Sequence, residues 1–565
     1  MSTHADAGFP LPAKPTSNYS EHESAPRQSA ASSGMSLAMV RELTAVALFV
    51  AIADVTIYRG HGFAGLATLL LATPVILLLA TPVILLFGSP VRQLRGSFWL
   101  IGLMLVALAA RQLWLGSVLG TLVGSLLITA FVLALRGVWP TVIDSLAVGA
   151  QLLGAGAVGM ASYAQIAVGF RPRVSQSQLL QVVLPAIALL VFGSVFLFAN
   201  PDLVANVEAR VDAFFKLLDR WMQSGLPGPA EIVFWAFAAY LVIGLLRPII
   251  QSSLSEGGYA RLWLERSYPF EATAVGPAAS VESPLYRPIR NTLVAVIVLF
   301  AVYLVFEFQT LWFREFPQGF YYAGYAHQGA AWLTVALALS TLVLSVIFRG
   351  PLLRDERIGQ LRSLAWVWSA LNLILALSVY NRMSIYIDFN GMTRMRMIGL
   401  FGISTVLVGF VLVLWKIVHN RDFLWLINRQ MWALAGAIYL FAITPVDTLV
   451  HGYNVRQILA GDSAPAVQIS VHPISAEGYL MLLPLTKADD PIIRDGVRAM
   501  LAERQRLAER NIAKRADVSW TSYQMSEELL LGRLRSAQGE LADWQTPKIR
   551  AEAINRFKDY AYQWY

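Results

Sequence analysis

Apolar runs of about 20 residues recur along the chain between residues 42 and 443, the length a helix needs to cross the hydrocarbon of a bilayer. The runs are continuous rather than alternating apolar with polar, so they predict helices and not the strands of a membrane barrel. About twelve such segments stand out, at residues 42–58, 63–87, 98–113, 118–135, 142–164, 179–199, 232–246, 292–312, 330–348, 364–380, 398–418 and 425–443. Between the sixth and seventh, Val204, Val207, Val211, Phe214, Leu218 and Met222 recur at helical spacing while Glu208, Arg210, Lys216 and Asp219 fill other positions. That pattern predicts an amphipathic helix near 203–222 lying in the membrane interface.

Residues 1–36 are rich in Ser, Ala, Pro and polar groups and carry no apolar block near their start. They predict a disordered tail, and the first apolar run is expected to be a retained helix rather than a cleaved signal. After Pro445 the apolar runs stop. Mixed charge at 491–513 and 520–544, with Pro547 opening a last short helix to Trp564, predicts a small water-exposed helical domain over 446–565. The expected fold is therefore all-α: a polytopic transmembrane helix bundle over 37–445, followed by that C-terminal domain.

Two features inside the runs concern packing. The second contains a tandem copy that places Pro74 and Pro82 in one helix, and prolines there bend a helix. Gly116, Gly120 and Gly124 form a small-residue ridge at four-residue spacing, which lets helices approach closely in lipid.

Composition agrees with a membrane setting. Of 565 residues, 56% are hydrophobic and 14% charged, against about 25% charged in an ordinary soluble domain. The chain has no cysteine, which excludes disulfides, thiolate metal sites and a cysteine nucleophile, and its 7 histidines are scattered outside metal-ligand spacings. The net charge of +8 lies in the membrane part, since the stretch after Pro445 holds about 15 basic and about 15 acidic residues. This excess reports orientation rather than nucleic-acid binding. Arg247, Arg261, Arg266, Arg287 and Arg290, then Arg349, Arg354, Arg357 and Arg362, then Lys416 and Arg421 occupy connections on one side of the bundle. The positive-inside rule makes that side cytoplasmic and the C-terminal domain extracytoplasmic. An even span count would put the N-terminus outside as well, against the basic lead-in at Arg27 and Arg41.

Phosphate loops, dinucleotide glycines, nucleophile elbows and metalloprotease helices do not occur in the required context, so no cofactor is expected. Ionisable residues inside spans are costly and mark candidate sites. Asp54 is the clearest, close in sequence to Arg59 and His61, and reads either as a helix-end ion pair or as a proton or ligand site. Asn372, and Asn428, Arg429 and Gln430, read as inter-helix hydrogen bonding and snorkelling. The densest polar stretch runs from Tyr380 to Arg396 between two spans, with Arg382, Tyr386, Asp388, Thr393, Arg394 and Arg396. One reading places its aromatics at the headgroup level with Asp388 paired to an arginine. The other is a recess gripping an anionic head group or sugar phosphate through Arg382, Arg394 and Arg396, with Tyr321, Tyr322 and Tyr325 lining it.

At these residues the chain resembles bacterial polytopic membrane proteins known as domains of unknown function four-one-five-three and four-one-seven-three. The likeness runs from Asp54 to Gly65 and through Tyr325-Ala-His-Gln-Gly329, where His327 replaces the family's arginine. It continues at Arg382-Met-Ser-Ile-Tyr386 and Gly391-Met-Thr393-Arg394-Met-Arg396, similar to R-x-x-L-Y and G-L-T-x-x-R. Val446-Asp447, Tyr453-Asn454-Val-Arg456, Tyr479-Leu480 and Trp520-Thr-Ser-Tyr523 resemble the family's tail, with Tyr523 where asparagine is expected. The resemblance implies a multi-span bundle with an extracytoplasmic tail and implies no activity.

Three functions remain open at this point. The first is a non-enzymatic sensor or scaffold of the bacterial cytoplasmic membrane whose tail meets a protein partner. A transporter or lipid-handling protein is the second, and a membrane transferase acting on an anionic lipid-linked substrate the third.

Overall fold

The computed structural model describes residues 37–60, 62–88, 96–168, 210, 227–248, 286–309, 322–347, 357–419, 421, 423–514 and 520–564. Among them every regular element is helical. The first eleven α-helices are α1 (Leu37–Ala53), continued by a π-helical turn at Asp54–Tyr58, α2 (Phe63–Gly88), α3 (Gly96–Trp114), α4 (Val118–Leu135), α5 (Val142–Val168), α6 (Pro229–Leu246), α7 (Tyr286–Glu307), α8 (Tyr322–Ile347), α9 (Ile358–Asn390), α10 (Arg394–Val418) and α11 (Phe423–Ile443). Then come α12 (Val446–Leu459), α13 (Ala466–Val471), α14 (Ala476–Leu482), α15 (Pro491–Lys514), α16 (Met525–Ser536), α17 (Gln538–Leu541) and α18 (Pro547–Ala561).

Local chemistry sets the helix ends. Ser117 caps α4 by accepting from Gly120 N at 3.0 Å, and Gln112 closes the preceding turn by accepting from Ser117 N at 2.7 Å. Thr393 caps α10 by accepting from Arg396 N at 3.2 Å. Pro229 and Pro547 open α6 and α18, where a missing N–H costs nothing. Between α9 and α10 the chain reverses at Gly391, whose φ of +81° is a conformation that side chains with a Cβ rarely adopt.

Eight helices among the described residues are long and apolar enough to cross a membrane: α3 to α7, α9, α10 and α11, some in part of their length. Helices α1, α2 and α8 fall on three further apolar runs of the sequence, with shorter apolar stretches described for α2 and α8. The run at 179–199 and the amphipathic segment at 203–222 lie outside the described residues, apart from Arg210. Helices α1 to α6 share a core that includes Ala67, Leu105, Phe131 and Val242, while Leu293, Leu337, Trp368 and Phe410 centre a second one among α7 to α11. Helix α11 joins the two halves: Gln430 donates to Gly409 O in α10 at 2.8 Å, and Tyr439 donates to Met104 O in α3 at 3.0 Å. The glycine ridge works within the bundle, with Gly116 against Phe63, Gly120 against Gln112 and Gly124 against Leu70.

One expectation is corrected here. The polar stretch 380–396 is not an open connection, because α9 runs on as helix to Asn390 and only three residues form the turn before α10. Its Tyr, Arg, Met and Ile residues do not break a helix, so the loss of the apolar run marks a change of composition along α9 rather than its end.

Helices α12 to α18 form a platform with its own apolar core, in which Leu482, Leu485, Val497, Leu501, Leu534 and Phe557 are fully buried. Helices α15 and α18 pack side by side, with the Phe557 ring seated directly on Gly496. The platform covers one end of the bundle, where α9 and α11 finish and α10 begins. Arg247, Arg357, Lys416 and Arg421 lie at the opposite ends of α6, α9, α10 and α11.

Candidate functional site

The sequence-predicted polar residues gather where the bundle meets the platform, and most are used to join the two. Arg394, in the first turn of α10, forms a two-pronged ion pair with Asp447 at the start of α12. Asp447 Oδ2 also accepts from Ser475 N at 2.9 Å. Asn454 clasps the turn between α9 and α10, accepting from Met392 N at 2.7 Å and donating to Met392 O at 2.9 Å. Gln468 donates to Asn390 O at 2.9 Å, and Asn390 donates to Trp564 O at 2.7 Å. Arg396 is buried, donates to Gly391 O, and lies 3.6 Å above the centre of the Tyr386 ring. Asp388, expected beside an arginine, instead accepts from the Tyr453 hydroxyl at 3.0 Å. Arg456 donates at 3.2 Å to Gly452 O in its own helix and stays exposed.

A second seam ties the platform to the other half of the bundle. Both ends of the Arg111 guanidinium donate to Glu477 at 3.0 Å, and Trp114 Nε1 donates to the same carboxylate at 3.0 Å. Gln524 receives Gly116 N and donates to Gln112 O at 3.2 Å. The turn after α1 is tight for the same reason: a Cβ on Gly62 (φ +133°) would lie 2.9 Å from Thr521 O.

Asp54 and Arg59 do pair, at 2.9 Å, but as part of a larger cluster. Trp235 Nε1 donates to Asp54 at 2.8 Å, and Arg59 Nε donates to Glu231 at 3.0 Å. His61 lies outside the described residues, and Tyr325 falls in the first turn of α8 with its side chain outside them.

Arg382 belongs to a separate centre deeper in the bundle. Its Nε donates to Glu307 Oε1 at 2.6 Å, Ser378 donates to the same oxygen at 2.6 Å, and Tyr303 donates to Oε2 at 3.0 Å. Glu307 is 0% exposed and Arg382 3%. Such a pair persists inside a protein when further hydrogen bonds satisfy it, here those of Ser378 and Tyr303 to the carboxylate. Glu307 was not singled out from the sequence, although a lone carboxylate inside an apolar run was a signal for it.

Burial raises the Asp447 carboxyl, but hydrogen bonds from Arg394 and Ser475 outweigh it and hold Asp447 below the usual carboxylate range. His451, one turn further along α12, is 3% exposed and its Nδ1 has no hydrogen-bond partner among the described residues. Burial pushes its pKa down to about 4; Asp447 opposes this, while Arg394 and His472 add to it. His472 is lowered too, by burial and then by Arg396 and Arg394. Among the described residues no group of three or more His, Asp or Glu side chains converges as metal ligands would. The chemistry available is thus mostly internal: the guanidinium groups of Arg111, Arg382 and Arg394 face carboxylates, and that of Arg396 faces a ring and a carbonyl.

The model of a family described as Domain of unknown function (DUF4153) matches residues 75–476, from α2 to the first residue of α14. No curated protein and no solved structure matches the chain.

Proposed function

The chain belongs to the family Domain of unknown function (DUF4153), and from that premise we propose that it is a multi-pass scaffold of the bacterial cytoplasmic membrane that holds a water-exposed helical platform on the extracytoplasmic side. The observation that carries this is the double seam. Two bidentate arginine–carboxylate pairs, Arg111–Glu477 and Arg394–Asp447, fix the platform to both halves of the bundle. A catalytic or anion-gripping recess needs open guanidinium or carboxylate groups, whereas Arg111, Arg382 and Arg394 are each paired with a carboxylate.

Orientation follows from the arginines and lysines at the far ends of α6, α9, α10 and α11, which favour the cytoplasm for that end. Helix α1 begins there too, because Glu42 binds Arg247 at 2.5 Å while Asp54 sits at the platform end. The crossings are then odd in number, one away from the even count of apolar runs. Among the described helices, α5 is the one that bears on that count. It starts shortly after Arg136, which donates to Leu246 O at 3.4 Å, and its Tyr163 binds Glu42 at 2.6 Å, so both regions lie near the cytoplasmic end.

The scaffold reading expects a double variant, R111A with R394A, to stay in the membrane while residues 446–565 become sensitive to protease added from outside, and while any protein crosslinked to the wild-type platform is lost. A platform as protected as wild type, with the same crosslinked partners, would overturn it. An active periplasmic reporter fused after Tyr565 is expected on the same grounds. One observation favours a second reading, transport: the Glu307–Arg382 centre is an ionisable pair among the spans. Proton or solute flux in proteoliposomes that disappears in E307Q would select it.

A further inference from the structure

Helix α16 has two apolar faces, and the platform uses only one. Leu530, Leu531 and Leu534 turn inward and are buried. Met525 and Leu529, one turn apart on the outer side, are 47% and 44% exposed, and Trp520 and Tyr523 just before the helix are 53% and 47% exposed. Arg533, a further turn along the same row, is also exposed, and Glu528 flanks it.

The depth of this patch is set by its neighbours. Gln524, between Tyr523 and Met525, receives Gly116 N and donates to Gln112 O, so it touches the turn where α3 ends and α4 begins. Thr521 packs against Gly60 and Gly65, where α1 gives way to α2. The patch therefore sits level with the ends of four bundle helices. An outward apolar row starts close to that contact, since Val118 and Leu122 of α4, 70% and 64% exposed, begin two residues after Gly116.

We infer that Trp520, Tyr523, Met525 and Leu529 dip into the headgroup and glycerol layer of the leaflet at the platform end, making α16 an interfacial anchor on phospholipid. Tryptophan and tyrosine favour that layer because an apolar ring and a polar N–H or O–H are satisfied together there. Arg533 sits where its stem lies along lipid and its guanidinium meets phosphate. This inference rests on the bundle spanning a bilayer, and on neither the scaffold role nor the side of the membrane.

The chain contains no cysteine, so single cysteines carrying a nitroxide report one position each. The measurement is collision with oxygen and with a water-soluble nickel chelate, in nanodiscs of phosphatidylethanolamine and phosphatidylglycerol. Leu103→Cys serves as the lipid reference on the outer face of α3, and Glu552→Cys as the water reference on α18. Labels at Met525→Cys and Leu529→Cys are expected to show an oxygen-to-nickel ratio several-fold above Glu552→Cys and below Leu103→Cys. A ratio equal to Glu552→Cys means the patch faces water and overturns the anchor. Low collision with both reagents means that a protein covers it, which also overturns the anchor. Should Leu103→Cys itself match Glu552→Cys, the bundle is not in lipid, and that failure is distinguishable from the other two.

Discussion

The bundle and the platform arrange the same side chains in opposite ways. In the bundle, large apolar residues such as Leu103, Val302 and Trp332 point outward, 64% to 71% exposed, while Glu307, Asn372 and Arg382 are buried. In the platform, Leu482, Val497 and Phe557 are buried and Lys548, Glu552 and Arg556 cover the outside. That is the contrast expected of the proposed arrangement, with the bundle in lipid and the platform in water. Lipid supplies no hydrophobic push between helices, so the bundle relies on close packing at Gly116 and Gly124 and on a few polar pairs. The platform has an apolar core of its own, the arrangement that a domain in water would use.

The comparison is broken most severely inside the bundle. Glu307→Ala leaves the Arg382 guanidinium buried without its carboxylate, a loss of about 3 to 5 kcal/mol. It should appear as a large drop in the thermal midpoint in detergent, and an unchanged midpoint would mean that Arg382 reaches water. Next comes Phe557→Ala, which empties the centre of the platform core at about 3 to 4 kcal/mol. Protease resistance of residues 446–565 should fall, while Leu103→Ala, facing lipid, should change neither region.

Acidification tests the seam between the regions. His451 has a folded pKa of about 4, below its ordinary 6.5, so the unfolded chain takes up the proton first. Stability contributed by the neutral ring is complete above pH 6.5 and is lost as pH falls from 6.5 towards 4, at most about 3 kcal/mol. Asp447 is also depressed, so its share is present above the ordinary carboxylate pKa and is lost as pH falls through its lower folded value. His451→Leu should flatten the upper part of that fall; the same slope in the variant would assign it to another group. The smallest effect is expected on the outside of the platform, where Arg556→Ala breaks an exposed contact to Asp495 and should leave the thermal midpoint within error.

The helical class and the apolar helices were legible because a bilayer imposes one length and one backbone solution. The Domain of unknown function (DUF4153) family was legible from motifs around Arg382 to Arg396, although the likeness was expected to begin at Asp54 and reach Tyr523, beyond the matched 75–476. Partners were less legible than residues. Arg59 and Asp54 lie five positions apart and were read as neighbours, but Glu231 joins them from 172 residues away. Arg394 and Asp447 both stand in the quoted motifs, but nothing in the sequence pairs them, and Arg111 and Glu477, 366 residues apart, carry no sequence signal of their contact. An arginine looks the same in sequence whether it awaits a ligand or already faces a carboxylate, and only tertiary placement separates the two.

Helix α9 counts 33 residues, about 50 Å of continuous rod, whereas the oily layer of a bilayer is about 30 Å thick. One end is held by Asn390 against the platform. A change of tilt by about 5° in a rod of that length moves its tip about 4 Å sideways, a shift that the ion pairs from α3 and α10 to the same platform oppose.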